Sequence, residues 1–95
     1  MTCSLLFSMP KFPKQSEATK YIKNLLASRN ILIEPGIIVF GEAEECQMFE
    51  YRNRCLAVDT KSGLWVGPSG GEWRQISNTC TVSAALQAIE FITKV

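Results

Sequence analysis

Apolar residues recur with two different periods along this 95-residue chain, and the places where the period switches mark its elements. From Ser16 onward, Ala18, Tyr21, Ile22, Leu25 and Leu26 fall at i, i+3, i+4, i+7 and i+8, the stripe of an amphipathic helix. Ser16 is suited to cap its start, and Asn30 to end it by adopting a left-handed conformation. Lys20, Lys23 and Asn24 form the opposite face. Upstream, Pro10 and Pro13 predict no regular structure, while Cys3, Leu5 and Phe7 alternate as in a short edge strand or a free arm over Met1–Ser8.

The period then drops to two. Ile31–Ile33 and Ile37–Phe40 are β-branched runs split by Glu34-Pro35-Gly36, a sequence suited to a type II turn, and at least the second predicts a strand. Gly41–Gln47 reads as an acidic connection and Met48–Tyr51 as the next strand, turned by Arg52-Asn53-Arg54 into Cys55-Leu-Ala-Val-Asp59. Leu64–Gly67 and Glu72–Ile76 follow with short Gly-containing turns between them. A second helix begins near Thr79–Thr81, with Val82, Ala85, Leu86, Ile89 and Ile92 on one stripe.

Register follows from turn chemistry. A three-residue loop over Lys61-Ser62-Gly63, with Gly63 left-handed, sets Thr60 opposite Leu64 and Val58 opposite Val66. Leu56, Val58, Leu64 and Val66 then share one face, and a turn over Pro68–Gly71 adds Trp73 to it. Trp65, Asp59 and Arg74 lie on the other face. Trp73 is accordingly expected in the core and Trp65 at most half buried. The pattern predicts a single α+β domain over residues 1–95. It is an antiparallel β-sheet of four to six strands, with the C-terminal helix packed on one face and the N-terminal helix beside or behind it.

Composition narrows the chemistry. With 46% apolar and 20% charged residues the chain is globular, and a net charge of +1 gives no electrostatic reason for a nucleic-acid or membrane partner. Charge distribution says more: Glu34, Glu42, Glu44, Glu45 and Glu50 occupy residues 31–50 without a single base. The absence of histidine excludes Ser-His-Asp and Cys-His machinery. Cys3, Cys46, Cys55 and Cys80 include no Cys-x-x-Cys pair, so free thiols in a reducing cytoplasm fit them best. Leu5-Leu-Phe7 is too short for a secretory or membrane segment.

Each remaining motif has a plain reading beside its chemical one. Gly67-Pro-Ser-Gly-Gly71 lacks the Lys-Ser/Thr of a phosphate loop and joins two strands, so it is a turn. Cys80, just ahead of a helix, is the one position suited to a cysteine nucleophile, and a small residue filling a helix entry explains it far better. The glutamates form no cation-loop pattern and serve either as a solvated loop or as a docking surface for a basic protein. No cofactor, metal or catalytic residue is called for.

Val58, Asp59, Gly63, Ile76 and Asn78, in Cys55-Leu-Ala-Val-Asp-Thr-Lys-Ser-Gly63 and Glu72-Trp-Arg-Gln-Ile-Ser-Asn78, carry a resemblance. They are similar to the C-terminal half of SUKH-superfamily immunity domains, with Thr79 where those carry serine. More widely, the chain resembles small bacterial immunity proteins, including those of contact-dependent growth inhibition systems. The resemblance implies a non-enzymatic cytoplasmic protein that binds and neutralises a cognate, nuclease-type toxin by occluding its active or substrate-binding site. Glu42, Glu44, Glu45 and Glu50 would meet the toxin's basic residues, and Tyr51 or Trp65 would supply an apolar anchor. A second reading, of another class, is a single-stranded nucleic-acid module built on Trp65 and Arg74.

Overall fold

A computed structural model of the chain describes residues 11–42 and 44–94. Five antiparallel strands form a meander in which every neighbour in sequence is a neighbour in space: β2 (Gly36–Phe40), β3 (Glu44–Tyr51), β4 (Arg54–Val58), β5 (Leu64–Pro68) and β6 (Arg74–Ser77). Two short strands, β1 (Lys11–Phe12) and β7 (Cys80–Thr81), pair separately. Helix α1 spans Gln15–Ala27 and α2 spans Val82–Thr93. The α+β class and the C-terminal helix packed on the sheet are as expected.

Both helices lie on one face, and α1 is beside α2, not behind the sheet. Ala18, Ile22 and Leu26 of α1 join Ala84, Ala85, Ala88, Ile89 and Ile92 of α2 in one core with Phe49, Leu56, Val58, Leu64 and Val66. Each large side chain buried there contributes on the order of 1.5–3 kcal/mol. Leu86, expected on the buried stripe, is 40% exposed, because α2 turns the small residues Ala84 and Ala88 toward the sheet and so packs close to it.

Polar contacts fix the helices on the sheet. At the start of α1, Gln15 Nε2 donates to the carbonyls of Glu45 and Val58, at 2.9 and 3.0 Å, tying the helix to the ends of β3 and β4. The helix therefore begins at Gln15, one residue before the expected Ser16 cap. Asn30 takes φ 63° just past its end, as its residue type suggested. Thr81 caps α2 by accepting from the Ala84 N–H. Arg54 closes the other end, where its Nη1 donates to the carbonyls of Phe91 and Lys94, both at 2.9 Å, putting a cation at the negative end of the helix dipole.

Several expectations are corrected. Lys11 and Phe12 do form regular structure, opposite Thr81 and Cys80, and the Phe12 ring stacks on Tyr21 at 4.3 Å. A two-residue bridge needs few N–H donors, so flanking prolines do not forbid it. Ile31–Ile33 is irregular; Ile31 and Ile33 pack on the core from a loop. The acidic connection is mostly strand, since β3 starts at Glu44. The Met1–Ser8 segment lies outside the described residues.

The β4–β5 hairpin keeps the expected faces but not the expected loop. Val58 pairs with Leu64 and Leu56 with Val66, two residues away from the anticipated register, so side-chain parity is unchanged. Ser62, not Gly63, carries the positive φ of 62°. Gly63 is required for a different reason: a Cβ there would stand 2.5 Å from Asp59 Oδ2.

Candidate partner-binding face

Strand alternation that sends Phe49, Leu56, Val58, Leu64 and Val66 to the helices sends Cys46, Met48, Cys55, Ala57, Trp65 and Gly67 to the opposite face. Among the described residues no helix covers that face. Even so, Cys46 and Ala57 are fully buried and Cys55 nearly so. Three aromatic rings gather on this side of the sheet.

Phe40, at the end of β2, packs edge-on against Trp65 with ring centroids 5.5 Å apart, and its centroid is 5.3 Å from that of Trp73. Two strands separate β2 from β5, a gap of about 14 Å in a flat sheet. The contact therefore requires the β2–β3 end of the sheet to coil over the face, as right-handed twist allows. Trp73 arrives from the other side. A Cβ on Gly67 would run into the Glu72 carbonyl and lie 3.3 Å from Trp73 Cα, so glycine at this position lets the connection after β5 fold back over the sheet. Trp73 thus precedes β6 and packs on Phe40, the ring that also meets Trp65, not in the helix-side core where sequence reasoning put it. Arg74 shifts to the helix side, opposite Val66.

Trp65 is held from below. Asp59 Oδ2 accepts from Trp65 Nε1 at 2.9 Å, while Oδ1 accepts from the N–H groups of Lys61 and Gly63 at 2.9 and 2.7 Å. Asp59 is itself buried, so one carboxylate both closes the hairpin loop and orients the ring. The Asp59…Gly63 spacing noted in the sequence is explained by this loop geometry.

The six candidate residues divide. Glu44, Glu50 and Trp65 share the open face, and Glu42 lies in the turn ahead of β3. Glu44 and Glu50 stand six residues apart on β3, about 20 Å, at the two ends of the apolar stripe. Glu44 Oε2 accepts from Thr60 Oγ1 at 2.7 Å and Glu50 Oε2 from Ser69 Oγ at 3.0 Å, which limits their motion without neutralising them. Glu45 and Tyr51 lie on the helix side, Tyr51 against the core with Arg52 5.1 Å over its ring. Phe40 was missed as the ring that meets both Trp65 and Trp73; Gly67 ahead of a Pro-Ser-Gly-Gly turn was the available signal for Trp73.

The thiols beneath this face are quiet. Burial, with Glu44 and Asp59 nearby, pushes Cys46 up to about 11, and burial with Glu50 raises Cys55. Burial alone pushes Cys80 up to about 11, which disfavours the thiolate that a cysteine nucleophile needs. Among the described residues no cluster of three metal-ligating side chains exists, and no helix is long and apolar enough to cross a membrane. Comparison of the chain with protein-family models, curated proteins and solved structures gives no match.

Proposed function

We propose that this chain is an immunity protein that binds a basic, nuclease-type toxin domain on its open sheet face. The observation carrying this reading is the Phe40–Trp65–Trp73 cluster with a carboxylate at either end of the adjoining strand. Aromatic rings supply apolar contact at low entropic cost, and Glu44 and Glu50 would steer and orient lysines and arginines that the toxin needs for nucleic acid. Neutralisation is then occlusion and requires no catalytic group. The resemblance of the Asp59…Gly63 and Ile76-Ser-Asn78 segments to immunity domains supports the same reading. Glu42 would extend the acidic rim; Glu45 and Tyr51, on the other side, drop out of the proposed contact.

This reading expects a toxin domain to be encoded directly upstream, and the test is co-expression with it. Wild-type chain should rescue growth, and the Glu44→Lys/Glu50→Lys double variant, with unchanged melting temperature, should not. Equal rescue by that variant and by Trp65→Ala would refute the assigned face. Three aromatics on a sheet also favour a single-stranded nucleic-acid platform, but no strand residue on this face is Lys or Arg, and Arg54 is spent on the end of α2. Salt-sensitive retardation of labelled oligonucleotides would favour that alternative.

A further inference from the structure

The five-stranded sheet ends in two edges that differ in kind. β6 is four residues long, carries Arg74 and Gln75, and meets β5 with a register irregularity at Leu64/Trp65, all features that discourage further pairing. β2 has none of these protections. It reads Gly-Ile-Ile-Val-Phe, without charge, proline or bulge, and among the described residues nothing pairs with its outer edge. Three of the four exposed large apolar side chains among the described residues also gather here: Leu32 at 86%, Ile37 at 64% and Val39 at 55%. Ile37 and Val39 point to the helix side of the sheet, beyond the cover of α1.

We propose that β2 is an interface between two copies of this chain, paired antiparallel about a two-fold axis through Ile38. The register follows from the strand itself. Opposite residues of an antiparallel pair share a face, so an axis normal to the sheet joins only residues of equal parity. Pro35, which has no N–H, stops the ladder at one end, and Gly41, with φ 59°, turns the chain away at the other. The pairing centred between these stops sets Gly36 against Phe40, Ile37 against Val39 and Ile38 against itself. A slip of two residues would place Pro35 opposite Val39, or Gly41 opposite Ile37.

This arrangement is self-complementary where the single chain is not satisfied. The axis keeps both helical layers on one side, so the exposed Ile37 of each copy meets the exposed Val39 of the other in two cross-strand pairs of β-branched residues. Leu32, four residues ahead of β2, is a third exposed apolar side chain. The result is a continuous ten-stranded sheet. A five-residue ladder with three side chains per copy is smaller than the roughly 1,600 Å² of a standard interface, so the dimer forms at concentrations on the order of 10–100 µM. It does not depend on the toxin reading.

Sedimentation of the full chain from about 5 to about 500 µM, a span bracketing that range, tests it. The mass should rise toward twice the 10.6 kDa of one chain. Ile37→Lys and Val39→Lys, at positions already exposed, should keep the wild-type circular dichroism and hold the mass at one chain. Amide exchange over Gly36–Phe40 should slow with concentration in wild type and in neither variant. Wild type remaining a single chain throughout would overturn the proposal. So would a dimer surviving in both lysine variants, a dimer leaving these amides unprotected, or open-ended growth beyond two copies.

Discussion

Replacing Asp59 by asparagine changes one atom's chemistry at the point where the hairpin loop and the aromatic face meet. The carboxylate accepts three hydrogen bonds, from the N–H groups of Lys61 and Gly63 and from Trp65 Nε1, within a buried site. Bonds to a charged acceptor are worth about 1.5–3 kcal/mol each. Three that share one side chain do not add, so Asp59→Ala, which strands all three donors, should cost roughly 3–5 kcal/mol. Asparagine can still accept from the two backbone groups but must present its NH₂ to the indole N–H. It should lose about 1–2 kcal/mol and release the ring. Against a domain stability of about 5–10 kcal/mol, both losses are large. Urea unfolding followed by tryptophan fluorescence should order the proteins wild type, Asp59→Asn, Asp59→Ala, and the Trp65 indole N–H resonance should move upfield in the asparagine variant. An Asp59→Asn protein within about 0.5 kcal/mol of wild type, with an unmoved resonance, would refute the claim that this carboxylate holds the ring.

Gly67→Ala should displace the Glu72–Trp73 segment and cost about 2–4 kcal/mol, with a red-shifted tryptophan emission; an unchanged spectrum would mean the connection does not cross the sheet there. Among the described residues Thr19 Oγ1 is buried without a hydrogen-bond partner, so Thr19→Val should be neutral or stabilise by up to about 1 kcal/mol, read as a higher melting temperature; a loss would reveal a missed partner. Cys46 and Cys80 are held near 11 when folded against an ordinary 9.0, so the folded state binds more protons between those values. Stability should therefore be intact below pH 9 and fall as pH rises toward 11, and the native thiols should resist alkylation at pH 8 that the urea-unfolded chain undergoes readily.

What could be read from the sequence was whatever depends on local period and turn chemistry. The meander, both helices, the Asn30 terminus and the sorting of Leu56, Val58, Leu64 and Val66 onto one face all follow from residue spacing. The sorting survived a misjudged loop because a two-residue slip preserves parity. What could not be read depends on contacts remote in the chain. Gly67 and the Pro-Ser-Gly-Gly turn hint that the chain folds back, but nothing near Trp73 says which face it reaches, and nothing near Phe40 says that the sheet coils enough to bring it to Trp65. Glu44 and Glu45 looked alike in an acidic run, yet adjacent strand residues point to opposite faces. Once β3 begins at Glu44, the run cannot act as one surface.

The central claim is that the aromatic and acidic face opposite the helices binds the partner. Amide hydrogen exchange of the chain, alone and saturated with a purified toxin domain that it neutralises on co-expression, tests it most directly. Protection is expected along the Phe40 end of β2, β3 from Glu44 to Glu50, and the segments around Trp65 and Trp73, with α2 unchanged. Protection confined to α2 and β6, with the Phe40, Trp65 and Trp73 segments exchanging as in the free chain, would contradict it.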